Sequence, residues 1–207
     1  MTRRWQIERK REFYYRQAKK ENYRSRAAYK LKQINERFEV INIGDRVVDL
    51  GASPGGWSQV AIERVGTAGK VVSSDIKHMR KIDNVDFVYG DIRDKKTVEA
   101  ILAMLGGAAD VVISDMAPNI SGNYSLDHAV SIELCEYALE FAKQSLRQGG
   151  SLVVKAFEGD MYGEFLVKLK KNFRSVKGHN PSASRPSSSE IYVIAKGFIP
   201  RAPQYFA

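Results

Sequence analysis

The sequence predicts a single doubly wound α/β domain, and three observations predict it. From about residue 45 onward, short apolar runs alternate with stretches of helical periodicity, the order that builds a parallel sheet. The runs are continuous rather than alternating, as in Val111-Val112-Ile113 and Leu152-Val153-Val154, so both faces of those strands are covered. The chain has 207 residues, 43% of them hydrophobic and 28% charged, enough for one core without disulfide or metal staples.

Taken in order, the apolar runs at 46–50, 70–75, 85–89, 110–114 and 151–156 are the expected strands. Helical stretches near 57–65, 94–105, 125–147 and 162–171 lie between and after them. Two further runs, near 173–178 and 190–196, complete a seven-stranded sheet. Between these last two, Ser occupies five of the eight positions from Ser182 to Ser189, a loop composition. No internal repeat is visible.

The charge is segregated. Residues 1–37 hold 13 Lys+Arg and 4 Asp+Glu, a net of +9, while residues 38–207 hold 20 of each and are neutral. The basic segment interleaves Trp5, Phe13, Tyr14, Tyr15, Tyr23 and Tyr29 with its cations, a pattern suited to phosphates and unpaired bases. An ordinary solvated basic helix has the same composition. Residues 1–37 are therefore expected to form a basic N-terminal helical extension, and 38–207 the α/β domain. A second acid-free basic stretch runs from Lys168 to Arg185. One Cys excludes a disulfide framework, and His78, His128 and His179 lack ligand spacing, so no metal centre is expected. The His residues are expected at surface or loop positions, and Cys135 as a small helix residue. With no signal-peptide pattern and no run long enough to span a bilayer, a soluble, cytoplasmic protein is expected, and a monomer is the separate expectation for its assembly.

After the first strand stands Asp49-Leu50-Gly51-Ala52-Ser53-Pro54-Gly55-Gly56-Trp57, where open α/β sheets bind ligands. Its Gly-x-x-x-Gly-Gly spacing is neither the dinucleotide fingerprint nor a P-loop, which argues against NAD and ATP. Asp75 follows the second strand, 20 residues past Gly55, where an acid grips a ribose hydroxyl, and Asp91 follows the third. Acids ending successive strands beside a glycine loop favour an adenosine-type ligand.

Four segments, in order, carry a resemblance: YRSRAAYKL at 23–31, DLGASPGGWSQV at 49–60, SDMAPNISG at 114–122 and GGSLVVKAFEG at 149–159. The ending SRPSSSEIYVIA at 184–195 joins them. The chain resembles the FtsJ/RrmJ ribose 2′-O-methyltransferases from about Phe13 to Ala195. The resemblance implies a Rossmann-like S-adenosylmethionine-dependent fold with an antiparallel last strand. It also implies methylation of a ribose 2′-hydroxyl, typically of a uridine in large-subunit ribosomal RNA, within a large subunit or its precursor. A transfer RNA anticodon loop is the alternative substrate. By resemblance Gly55 and Trp57 contact the cofactor, Asp75 its ribose, Asp91 its adenine end and Asp115 the region of the methyl donor.

The resemblance further supplies a catalytic set of Lys30, Asp115, Lys155 and Glu190. Lys155 ends a buried strand at the ligand edge, although a lysine there can also simply snorkel to water. Asp115 ends the preceding strand, where it could equally start a turn. On a helical projection Ala27, Leu31, Ile34 and Phe38 form the packed face; Lys30 lies at its border and Lys32 toward solvent. Glu190 opens its strand, whereas the other acids and bases close theirs. An antiparallel final strand brings all four to one edge.

Overall fold

The computed structural model describes residues 3–184 and 189–200, with side chains from residue 12 onward. The strands are β1 (Arg46–Leu50), β2 (Lys70–Asp75), β3 (Val85–Tyr89), β4 (Ala109–Ser114), β5 (Leu146–Phe157), β6 (Phe173–His179) and β7 (Glu190–Phe198). They form one seven-stranded sheet in the order β3-β2-β1-β4-β5-β7-β6. Strand β7 is antiparallel to both β5 and β6, and the pairs from β3 through β5 are parallel. The expected topology is therefore present, with its single reversed strand.

The continuous apolar runs are explained by two cores. Val47, Val71, Val111, Ile113, Val153 and Ile194 face one side of the sheet. Their neighbours Val48, Val72, Val112, Leu152, Val154 and Val193 face the other. Successive strand residues point to opposite faces, so a strand buried on both must be apolar throughout. Helices α4 (Lys95–Leu105), α5 (Tyr124–Ser145) and α6 (Tyr162–Lys170) contribute to the second core. Helices α2 (Ala28–Phe38) and α3 (Gly56–Val65) contribute to the first, together with the end of α1 (Arg3–Lys20).

Three expectations need correction, and the packing crosses the 37/38 boundary: Leu31 and Ile34 of α2 are fully buried in the first core beside Trp57 and Val60. Each such side chain stabilises the fold by roughly 1.5–3 kcal/mol. An 11-residue helix has little stability alone, so α2 exists because the body covers it. Next, α5 stops at Ser145 and β5 begins at once with Leu146, five residues before the apolar run. Leu146 pairs with Ala109, and the extra residues bulge before Ser151 pairs with Val111. Lys32 is not in open solvent: its ammonium meets Glu21 at 3.2 Å and lies 4.3 Å over the Tyr23 ring. Finally, His128 is a buried α5 residue. Its Nδ1 lies 3.1 Å from the Phe157 carbonyl, and Met161 N–H donates to its Nε2 at 3.0 Å.

Cys135 is a buried helix residue whose thiol donates to the Lys155 carbonyl, and burial pushes it up to about 12. On the second basic stretch Lys170, Lys171, Arg174 and Lys177 are exposed, and Lys168 pairs with Glu136. Arg185 and Ser187–Ser188 of the serine loop lie outside the described residues, as do the side chains of Trp5 and of the first basic residues.

Candidate active site

The carboxyl ends of β1, β2, β3 and β4 surround a cleft of about 360 Å³. Its walls include Gly51 and Ser53 from the glycine loop, Asp75 and Lys77 after β2, Asp91 after β3 and Asp115 after β4. A volume of that order suits a small ligand. Its three carboxylates share the wall with Lys77 and Arg93, and Asp91 pairs with Arg93. Asp75 spends both oxygens on loop backbone, accepting from Ser53 N at 2.8 Å and from Lys77 N at 2.7 Å. Asp91 accepts from the Arg93 guanidinium, which holds its carboxyl below the usual range.

Beneath this rim Asp49 is wholly buried. Ser58 donates to its Oδ2 at 2.6 Å, and Oδ1 has no partner. Burial, with the charges of Asp115 and Asp75 nearby, raises its carboxyl to about 7.

The expected glycine loop is present, but its glycines serve protein neighbours. A Cβ on Gly56 would lie 2.3 Å from Ser25 Oγ, and one on Gly55 would lie 2.8 Å from both Ile82 and Met79. Gly55 also has φ +111°, a left-handed conformation that glycine adopts without a Cβ clash. Trp57 is buried: its ring centroid is 5.6 Å from that of Tyr192, and its Nε1 donates to the Ala27 carbonyl at 2.9 Å. Gly55 and Trp57 do not line the cleft with their side-chain positions. The Gly55 amide is likewise spent on the protein, donating to the Ala52 carbonyl at 2.7 Å.

Beside the cleft the four expected charged residues converge. The registers carry them there: Ser114 pairs with Val154, so Asp115 stands next to Lys155, and Lys155 pairs with Tyr192. Glu190 pairs with Phe157, at the same edge. Lys155 Nζ lies 3.0 Å from Asp115 Oδ1 and donates to the Asp115 carbonyl at 2.7 Å. From the opposite direction Lys30 Nζ reaches Glu190 Oε2 at 2.9 Å. Both lysines are 6% exposed, a burial that ammonium groups accept only when paired.

One residue that sequence reasoning missed joins the two pairs. The Tyr192 hydroxyl accepts from Lys30 Nζ at 2.9 Å and donates to Asp115 Oδ1 at 2.8 Å. It completes a chain Glu190–Lys30–Tyr192–Asp115–Lys155, of which Asp115 lines the cleft. Burial and the charges of Asp115 and Glu190 hold the phenol well above its ordinary range, so it stays a neutral donor. The signal was in the strand period: Tyr192 is two residues from Glu190 and so shares its face. The arrangement fixes two ammonium groups and two carboxylates beside the cleft.

Known proteins carry the same frame. A ribosomal RNA large subunit methyltransferase E from Methanothrix thermoacetophila is 54% identical over 183 residues, covering 88% of this chain and 71% of that one. Its counterpart from Methanothermobacter thermautotrophicus is 46% identical over 200 residues, with 96% and 95% covered. A crystal structure of a ribosomal RNA methyltransferase from Plasmodium falciparum superposes with TM-score 0.76 at 31% identity, over 86% of this chain and all of that one. The family model of the FtsJ-like methyltransferases matches residues 23–198, a span running from the linker before α2, through the cleft and the buried charge chain, to the end of β7. With the reversed strand, the strand-end acids and this match in agreement, the chain belongs to the FtsJ-like methyltransferase family.

Proposed function

We propose that this protein methylates a ribose 2′-hydroxyl of large-subunit ribosomal RNA, typically of a uridine, with S-adenosylmethionine as cofactor. The observation that carries the reading is the chain of paired charges beside the cleft, with Asp115 belonging to both. The names of the archaeal relatives support ribosomal RNA over transfer RNA.

The cleft fits the cofactor by its place at the strand ends and by its polar lining. S-adenosylmethionine, when bound, supplies an electrophilic methyl group on a sulfonium. Asp75 and Asp91 are assigned to its ribose and adenine ends, and Asp115 to the region of the methyl donor. Gly55 and Trp57, which the family resemblance assigns to the cofactor, stand at the start of α3.

The residues of the chain then have distinct tasks. A ribose hydroxyl is a poor nucleophile, and its proton must leave as the oxygen takes the methyl group. Lys155 is the candidate base. It is held by Asp115 on the rigid end of β5, three links along the chain from Lys30. Lys30, with Glu190 and Tyr192, positions the ribose; the fixed distances reduce the entropy lost on alignment. The basic segment 1–37 contacts the RNA backbone, its exposed Arg16, Lys19 and Lys20 beside the rings of Phe13 and Tyr15.

Lys155→Arg is the test, because a guanidinium keeps the charge but stays protonated. Single-turnover methyl transfer at saturating RNA and cofactor should be abolished, with both binding steps retained. Transfer at the unaltered rate would overturn the assignment of Lys155 as base. Mapping 2′-O-methylation in total RNA from a strain lacking the gene, with and without complementation, tests the substrate; full methylation of every ribosomal site in that strain would overturn it.

A further inference from the structure

The linker at 21–27, between α1 and α2, places one cation against backbone rather than against an acid. The Arg24 guanidinium donates from Nη1 to the Pro54 carbonyl at 3.3 Å and to the Arg80 carbonyl, and from Nη2 to the Lys81 carbonyl at 2.6 Å. Pro54 belongs to the glycine loop after β1. Arg80 and Lys81 belong to the loop between β2 and β3, residues 76–84. These two loops form one side of the cleft, through Ser53 from the first and Ile76 and Lys77 from the second.

Asp75 ties the same two loops from the cleft side, through Ser53 N and Lys77 N. Arg24 ties them from behind. Arg24 is itself anchored: its N–H donates to Gln59 Oε1 at 2.9 Å, and Gln59 Nε2 donates to the Asn22 carbonyl at 3.0 Å. Tyr23 adds a hydrogen bond to Glu63 of the same helix, α3. The fit is close, since a Cβ on Gly55 would lie 3.2 Å from Arg24 Cδ. The 76–84 loop is largely exposed, with Met79 and Ile82 against Gly55 and the His78 ring stacked on Tyr89; Arg24 adds the hydrogen bonds to its backbone at Arg80 and Lys81.

We propose that Arg24 is a positioning residue for the cofactor: its guanidinium holds the glycine loop and the 76–84 loop at the spacing the bound cofactor needs. The proposal rests on the reading of the cleft as an S-adenosylmethionine site. It explains why an arginine stands here. A planar fork with five donors bridges carbonyls on two loops, whereas an ammonium on a flexible stem holds one of them. It also makes the basic N-terminal segment part of the cofactor site, although no described residue of that segment lines the cleft.

The test compares the unaltered chain with Arg24→Ala and Arg24→Lys. Arg24→Ala should raise the Kd and KM for S-adenosylmethionine about tenfold, with kcat at saturating cofactor changed by less than about twofold. Arg24→Lys should fall between the two. Trypsin, without cofactor, should cut after Arg80 and Lys81 faster in Arg24→Ala, and mass spectrometry identifies those cuts. A merely structural role would instead lower the unfolding midpoint and kcat while leaving KM unchanged, and that result would overturn the proposal. So would unchanged cleavage of the 76–84 loop. If the unaltered chain fails to bind S-adenosylmethionine in calorimetry, the reading of the cleft fails, and the cofactor-free cleavage rates still judge the clamp separately. Should Arg24→Ala not fold, Arg24→Lys alone carries both comparisons.

Discussion

Replacing Tyr192 by Phe removes a single oxygen and separates the two halves of the buried charge chain. That oxygen accepts from Lys30 at 2.9 Å and donates to Asp115 at 2.8 Å. Hydrogen bonds to charged groups are worth about 1.5–3 kcal/mol each. The loss is not the full sum, because Lys30 keeps Glu190 at 2.9 Å and Asp115 keeps Lys155 at 3.0 Å. The ring remains and still packs on Trp57, so no large cavity opens. A stability loss of about 1–3 kcal/mol follows, measurable as a shift of the urea midpoint at constant slope. If alignment of Lys30 and Asp115 matters to the reaction, single-turnover methyl transfer should slow by about 10–100-fold, since about 1.36 kcal/mol on the barrier is a factor of ten. Cofactor affinity should stay within about twofold, because Tyr192 does not line the cleft. An unchanged single-turnover rate with the expected stability loss would refute the link between the chain and the chemistry. Unchanged values of both would refute the hydrogen bonds.

Asp75→Ala should weaken S-adenosylmethionine binding by roughly 1–3 kcal/mol in calorimetry, because both loop amides it holds lose their acceptor; unchanged affinity would remove Asp75 from the site. Neutralising the exposed Arg16, Lys19 and Lys20 should flatten the log–log salt dependence of RNA binding by about 0.7–0.9 for each phosphate that is no longer neutralised. An unchanged slope would leave that face a solvated helix. Asp49 sets a pH dependence of stability. Its carboxyl is raised from 3.8 to about 7 in the folded chain, so the folded state keeps a proton that the unfolded chain has lost. Stability therefore falls as pH rises from about 4 to about 7, by at most about 4 kcal/mol from this group, and then levels. Asp49→Asn should gain more over the unaltered chain at pH 8 than at pH 5 in urea unfolding, and an equal gain at both would contradict the assignment.

Several features were legible in the sequence because they are local. The runs at Val111–Ile113 and Leu152–Val154 report burial on both faces, since strand side chains alternate and an apolar residue at each position needs cover on each side. Acids at the ends of β2, β3 and β4 follow from strand boundaries, and the ligand edge of an open sheet follows from topology. Even the reversed strand left a trace, because Glu190 opens its strand while Lys155 lies near the end of its own. The family motifs carried the rest of the charged set.

Contacts made across long stretches of chain were decided only by the tertiary structure. Lys30 and Tyr192 are 162 positions apart, and nothing in the local period of α2 or β7 announces that they touch. Helical phase set Lys30 at the border of a packed face, but β7 covers that border, and pairing with Glu190 and Tyr192 makes the burial of its charge tolerable. The basic composition of residues 1–37 could not reveal that α2 belongs to the core, because charge counts say nothing about which face of a helix is covered. The glycines after β1 announced a close approach without naming what approaches; the structure supplies Ser25 and the loop beyond β2. Periodicity reports the environment of one element at a time, whereas a site is made where several elements end together, and only the packed sheet fixes that meeting point.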